Sequence, residues 1–92
     1  MKSVATRRFW ETFAKLPPPI QTLAKKIYRR WKQDPYHPSL DFKMVIPEKS
    51  VYSVRIGAHY RVLGRKEGDT MIWFWIGSHE VYNKLINQIR KG

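Results

Sequence analysis

Residues 51–64, VYSVRIGAHYRVLG, alternate apolar and polar side chains on both sides of a short glycine-containing segment. This alternation is typical of strands that bury one face, so the stretch predicts a β-hairpin. A two-residue turn would put an arginine on the core face. A three-residue turn, Gly57–His59, keeps the apolar residues of both strands on one face, and burial specifies register strongly. The sequence therefore predicts that Arg55 and Arg61 lie opposite each other on the other face.

Two directly opposed arginines are an unusual feature of a sheet. Like charges in this position are destabilising, so an anion held between them would explain the pair. Phosphate is a suitable anion, because the planar guanidinium group donates two hydrogen bonds at once. The alternative is that both side chains extend into solvent or pair with Glu67 or Asp41. The pattern alone leaves both possibilities open.

The segment that follows the hairpin, TMIWFWI at residues 70–76, is apolar at nearly every position. A strand of this composition has both faces covered, which predicts a central place in the sheet. It ends at Gly77 and Ser78, and residues 79–92 then carry an apolar stripe at helical spacing. Ser78 is expected to N-cap this helix, and a spacing of three puts His79 and Tyr82 on one face of its first turn.

The segment that precedes the hairpin contains two helical patterns, at residues 7–16 and 18–33, separated by the prolines of LPPPI. The second pattern has an apolar stripe and an opposite basic face made of Lys25, Lys26, Arg29, Arg30 and Lys32. Residues 41–46 predict one more strand. The order predicts a single α+β domain over residues 1–92, with an N-terminal helical hairpin packed on a small antiparallel sheet of three to four strands, plus a C-terminal helix.

The composition of the chain points to an anionic partner. The 92 residues include 18 Lys and Arg but only 7 Asp and Glu, which gives a net charge of +11. Such a charge favours nucleic acid or an acidic protein as the partner. The absence of cysteine fits a cytoplasmic protein. No apolar run long enough for a transmembrane helix and no signal-peptide pattern are present, so no membrane association is expected.

Three histidines, His37, His59 and His79, are the candidates for acid–base chemistry. None has the spacing of a metal-ligand pair and no acidic cluster is near them, so we expect no metal. A lone histidine is most often a surface or capping residue. The functional alternative is that an imidazole gives and takes a proton, which it does near neutral pH.

The segments DPYHPSLDFK, YSVRIGAHYRVLG and WFWIGSHEVYNKL, in this order and spacing, resemble the RelE/ParE toxin superfamily of bacterial type II toxin–antitoxin systems. The resemblance covers nearly the whole chain and implies the fold described above. RelE-like members are ribosome-dependent endoribonucleases that cut mRNA, whereas ParE-like members poison DNA gyrase. The resemblance implies a cytoplasmic toxin that needs no cofactor, with a cognate acidic antitoxin, the ribosome and mRNA as partners.

The resemblance also implies roles for particular residues. In the nucleases, the RNA 2′-hydroxyl attacks its own phosphate and leaves a 2′,3′-cyclic phosphate, which requires proton transfer and charge stabilisation but no metal. By position, Arg61 and Arg55 would stabilise the phosphate and His79 would transfer a proton. Tyr82 and His59 are secondary catalytic candidates. The RNA-binding residues expected beside them are Lys43, His37, Arg65, Lys25 and Arg29.

The sequence departs from the family's pattern in two places. Some nucleases carry a lysine where Ser53 stands and an arginine just before the last helix, where His79 is here the nearest candidate. The departures favour a histidine-assisted nuclease. Two alternatives are a ParE-type gyrase poison, which needs no acid or base, and a non-catalytic module that binds nucleic acid or an antitoxin.

Overall fold

The computed structural model describes residues 1–92 as three helices against a five-stranded sheet of order β1-β5-β4-β3-β2. The predicted α+β class, with a helical hairpin and a C-terminal helix, is confirmed. In chain order the elements are β1 (Lys2–Ala5), α1 (Arg7–Ala14), α2 (Pro18–Gln33), β2 (Lys43–Ile46), β3 (Val51–Ile56), β4 (Tyr60–Glu67), β5 (Thr70–Ser78) and α3 (His79–Lys91).

The sheet has one strand more than the three to four antiparallel strands predicted, because the chain contributes a fifth strand, β1, that runs parallel to β5. The segment KSVA has four residues, alternately exposed and half-buried, and no apolar run marks it in the sequence. It is held by the edge of β5 and by flanking hydrogen bonds, such as that from the Thr6 N–H to the Trp73 carbonyl at 2.9 Å. Strand β5 is therefore interior, and the central strand is β4.

The predicted register of the β3–β4 hairpin is confirmed. Ile56 pairs with Tyr60, and Arg55 pairs with Arg61. Gly57 opens the turn at φ +62°, a conformation that glycine adopts readily. A Cβ atom at Gly57 would lie 3.1 Å from Leu23 Cδ2, so the turn rests closely against α2.

Two hydrophobic clusters lie on opposite faces of the sheet. The larger one joins the sheet to the helical hairpin through the buried residues Leu16, Ala24, Trp31, Leu40, Phe42, Val54, Ile56, Val62, Met71, Trp73 and Ile76. The smaller one joins the sheet to α3 through Ile46, Val51, Leu63, Trp75, Tyr82 and Ile86. The sheet is thus covered on both faces, and α3 is the element that brings side chains to the second face.

A β-bulge explains how β5 serves both clusters. Gly64 pairs with Trp73 while Leu63 pairs with Trp75, so Phe74 is an extra residue in β5. One extra residue reverses the alternation of side chains. Trp73 consequently joins the cluster under the helical hairpin, and Trp75 joins the cluster under α3.

The helix boundaries follow local chemistry. Helix α2 begins at Pro18, which needs no N–H partner in the first turn. The predicted cap of α3 is confirmed: Ser78 Oγ accepts a hydrogen bond from the Val81 N–H at 3.3 Å. No helix combines the length and the apolar composition that crossing a membrane requires.

Candidate functional site

His79 stands where β5 becomes α3, and its backbone is fixed from two sides. Its N–H donates to the carbonyl of His59 at 2.8 Å, which ties the start of α3 to the β3–β4 turn. Just before it, a Cβ atom at Gly77 would lie 2.5 Å from Trp75 Cζ2, so the buried indole packs directly against the glycine backbone. The imidazole itself is exposed. A rigid backbone therefore presents a solvent-accessible ring.

The ring of Tyr82 packs against the imidazole of His79. The rings of His79 and Tyr82 are stacked, with centroids 5.7 Å apart and an interplanar angle of 19°. Tyr82 is 9% exposed, and its hydroxyl lies 3.5 Å from Oγ of Ser53, which is 2% exposed. The hydroxyl thus points into the protein, and one face of the phenol ring is taken by the imidazole.

The two opposed arginines turn to different neighbours. The Nη1 group of Arg61, which is half-buried, donates to the carbonyl of Tyr60 at 2.7 Å. The Nε group of Arg55, which is exposed, donates to the carbonyl of Gly57 at 3.2 Å. Arg61 also pairs across the sheet with Gly77, at the end of β5.

Neither arginine pairs with the carboxylates considered as partners. Asp41 instead binds Lys43, with Nζ and Oδ2 3.3 Å apart, and Glu67 binds Arg65. The positive charge of Arg55 and Arg61 is therefore not neutralised within the chain, and both remain available to an external anion.

Lys43 and His59 complete the group of candidates at this end of the sheet. Lys43 begins β2 directly opposite Ser53, one step along the same face from Arg55. His59 lies in the β3–β4 turn and is exposed, and its carbonyl binds the backbone of His79. The structure thus brings together the end of β5, the start of α3, the hairpin turn and the start of β2.

Three of the other predicted RNA-binding residues, Arg65, Lys25 and Arg29, lie elsewhere, and His37 lies near Arg55. Arg65 is near the opposite end of β4, in the ion pair with Glu67. Lys25 and Arg29 lie on α2, across the sheet from α3, and line an open apolar cavity of about 400 Å³ between the helical hairpin and the sheet. His37 caps the 3₁₀ turn Pro38–Leu40, and its Nδ1 lies 2.8 Å from Ser39 Oγ.

Three further residues lie beside the predicted site residues: Ser53, and two members of the basic face of α2, Lys26 and Arg30. Ser53 is the buried neighbour of the Tyr82 hydroxyl. Lys26 and Arg30 line a groove together with Arg55. Their i, i+4 spacing puts them on one face of α2, which the sequence predicted as basic, whereas their place beside Arg55 depends on the tertiary fold.

No metal centre is formed by the side chains of this chain, because no three His, Asp or Glu residues gather in one group. The polar groups at the end of the sheet are instead cations, imidazoles and a phenol. Such a set can bind and polarise a phosphate group and exchange protons with it.

Fold and site together define a small basic toxin domain, and a comparison of the sequence with known families agrees. The family described as ParE-like toxin domain matches residues 18–84, which is more than half of the chain. The chain belongs to this family, within the RelE/ParE toxin superfamily of toxin–antitoxin systems. No curated protein sequence matches the chain significantly.

Solved structures of related toxins share the fold at low sequence identity. The toxin in the RelB–RelE antitoxin–toxin complex from Methanococcus jannaschii superposes with a TM-score of 0.72 at 19% identity, over 89% of this chain and 96% of that one. A YoeB/ParE toxin from Agrobacterium tumefaciens gives 0.65 at 19% identity, over 86% and 99%. The isolated RelE toxin of E. coli gives 0.62 at 16% identity, over 96% and 97%.

Proposed function

We propose that this member of the RelE/ParE superfamily is a ribosome-dependent endoribonuclease that cuts mRNA and inhibits translation. The observation that carries the proposal is the exposed imidazole of His79, mounted on the buried ring of Tyr82. An acid–base group held in this way is suited to proton transfer in a catalyst. Such an enzyme acts where ribosomes are, in the cytoplasm.

The proposed reaction is a transfer within the RNA. The 2′-hydroxyl attacks the adjacent phosphorus, the bond from phosphorus to the 5′-oxygen breaks, and the products are a 2′,3′-cyclic phosphate and a free 5′-hydroxyl. One proton must leave the 2′-oxygen and one must reach the 5′-oxygen. His79 transfers one of these protons, and His59, whose backbone is bound to that of His79 at 2.8 Å, is the candidate for the other.

Charge stabilisation falls to the arginine beside β5. The phosphate gains negative charge in the transition state, and preorganised donors aimed at that charge provide a large part of catalysis. Arg61 is half-buried, has no carboxylate partner and lies opposite Gly77, two residues before His79. Lys43 extends the positive surface from β2 and is proposed to bind a neighbouring phosphate.

A ParE-type gyrase poison is the second candidate, and the family match to the ParE-like toxin domain favours it. A gyrase poison needs no acid or base, so this function would not use the stacked imidazole of His79 for proton transfer. The test is a pair of assays with the purified chain: primer extension on an mRNA during in vitro translation, and DNA cleavage by gyrase. Cut mRNA with unaffected gyrase supports the nuclease. Gyrase trapped on DNA with intact mRNA would reject it, and a chain inactive in both assays would be a non-catalytic binding module.

An acidic antitoxin is the proposed protein partner. The apolar cavity under the helical hairpin opens beside Trp10 and Tyr28, which are 55% and 42% exposed. Lys25 and Arg29 lie on its rim. An amphipathic segment with an apolar face and acidic flanks fits this combination. The product of an adjacent reading frame should bind the wild type and should bind a Lys25→Glu/Arg29→Glu variant far more weakly.

A further inference from the structure

A second basic groove lies on the other side of the β3–β4 turn from His79. It runs between α2, the 3₁₀ turn Pro38–Leu40 and the hairpin turn, and has a volume of about 590 Å³. Three cationic side chains, from Lys26, Arg30 and Arg55, line it with the imidazole of His37, and no carboxylate does. Its apolar lining is made by Leu23, Ile27, Leu40 and Ala58.

The groove walls are held in place by local contacts. The turn packs on α2, since a Cβ atom at Gly57 would lie 3.1 Å from Leu23 Cδ2. The Nε group of Arg55 is bound to the Gly57 carbonyl. Arg30 Nη1 lies 3.2 Å from Nε2 of His37. Arg30 and Arg55, one on each wall, are therefore restrained, which lowers the entropy that binding an anion would cost.

Arg55 enters this groove because β2 is short. The pairing of β2 with β3 ends at Lys43 and Ser53, so Arg55 lies on a part of β3 with no neighbouring strand on that side. Its side chain lines the groove with residues of α2, although its backbone pairs with that of Arg61. Arg55 and Arg61 thus belong to two neighbouring cationic sites, with Arg55 in the groove and Arg61 opposite Gly77.

We propose that this groove, formed by Lys26, Arg30, His37 and Arg55, binds an RNA phosphate next to the one that is cleaved. This inference rests on the proposed function. A single strand that crosses the hairpin turn passes from the groove to the ring of His79, because the carbonyl of His59 in that turn accepts the His79 N–H at 2.8 Å. Arg55 therefore positions the strand, while Arg61 contacts the reacting phosphate.

RNA is favoured over an acidic peptide as the ligand, because the groove leads over the hairpin turn to His79. A polyanionic strand carries a phosphate at every nucleotide and can occupy both cationic sites at once, and phosphate contacts are what position a nucleic acid on a protein. An acidic peptide has a better surface in the apolar cavity between the helical hairpin and the sheet, which offers anchors such as Trp10 that this groove lacks.

The test is fluorescence anisotropy with a labelled oligouridylate whose 2′-oxygens are methylated, so that it cannot be cleaved. Wild type is compared with Lys26→Gln/Arg30→Gln and with a control of equal charge, Lys84→Gln/Lys91→Gln, on exposed positions of α3. Glutamine is a good helix former, so both pairs are compatible with their helices. Far-UV circular dichroism and the thermal midpoint check that both variants fold.

We expect the groove variant to bind about tenfold more weakly than the control at moderate salt, since each lost phosphate contact is worth a large part of the electrostatic affinity. Its log–log salt slope should fall by about 1.4, from two contacts at about 0.7 each. Equal affinity of groove variant and control would overturn the proposal. So would loss of binding to a polyglutamate probe with unchanged RNA binding, because the groove would then be a peptide site.

The RNA-binding test of the groove and the mRNA-cleavage test of the proposed function can fail independently. Weakened RNA binding by the groove variant, together with a wild type that leaves translated mRNA intact, would support the phosphate site and reject the nuclease. Cut mRNA with equal RNA binding by variant and control would support the nuclease and reject the groove.

Discussion

The imidazole of His79 lies almost parallel to the ring of Tyr82, at an angle of 19° and a centroid separation of 5.7 Å. The exposed ring carries the proposed chemistry, and the buried ring fixes its orientation. This division of roles predicts that the ring of Tyr82 matters more than its hydroxyl.

A Tyr82→Phe variant should therefore keep most of the cleavage activity, because the aromatic surface under His79 remains and only the long contact to Ser53 is lost. Tyr82→Leu should lose about tenfold or more in cleavage rate, since a loosened acid–base group is no longer positioned for transfer. The measurement is the rate of mRNA cleavage during in vitro translation. Equal loss in both variants would instead assign the role to the hydroxyl.

Replacement of Arg61 should affect the chemistry rather than the fold. Arg61→Lys keeps the charge and loses the planar fork, and Arg61→Ala loses both. By analogy with other preorganised donors, the alanine variant should cleave about a hundredfold more slowly, with lysine in between. Denaturant titration should give nearly wild-type stability for both variants. A fully active Arg61→Ala variant would show that the phosphate is stabilised by another group.

Gly77→Ala should destabilise the chain, because its Cβ atom would lie 2.5 Å from Trp75 Cζ2. Overpacking of this kind costs about 1–3 kcal/mol. Gly68→Asn is the control: its site has open space, and asparagine tolerates the φ of +56°. Urea denaturation should lower the midpoint of the first variant and leave the second nearly unchanged. If Gly77→Ala unfolds at the wild-type midpoint, the indole does not press on this backbone.

Loss of the α3 cap should also reduce stability. Ser78→Ala removes the acceptor for the Val81 N–H, which costs about 1 kcal/mol at a typical N-cap. Ser78→Asp retains an acceptor, so its urea midpoint should stay near that of the wild type. Equal midpoints for the alanine and aspartate variants would mean that the cap contributes nothing measurable.

The sequence predicted the parts of the fold that depend on the burial of one face. The β3–β4 register followed from keeping Tyr52, Val54 and Ile56 on one side, and the cap at Ser78 followed from local chemistry. Strand β1 could not be predicted, because KSVA gains its place only from the edge of β5. The bulge at Phe74 was equally hidden, since the six consecutive apolar residues 71–76 give no sign of where alternation reverses.

The sequence predicted which candidate residues gather at the end of the sheet. It did not predict how they fall into two separate cationic sites. Sequence spacing put His79 and Tyr82 on one helical face, and the stack follows from that spacing. Where the side chain of Arg55 turns depends on how short β2 is, and what Lys26 and Arg30 face depends on how α2 packs. Both are tertiary outcomes that no local pattern records.

The central claim is that His79 transfers a proton during cleavage of mRNA. The most direct measurement is primer-extension mapping of an mRNA during in vitro translation, with wild type and His79→Ala at equal concentration. The account predicts discrete cuts with the wild type and a rate about a hundredfold or more lower for a folded His79→Ala variant, which is within the range for a single acid–base group. Undiminished cuts by His79→Ala would contradict it.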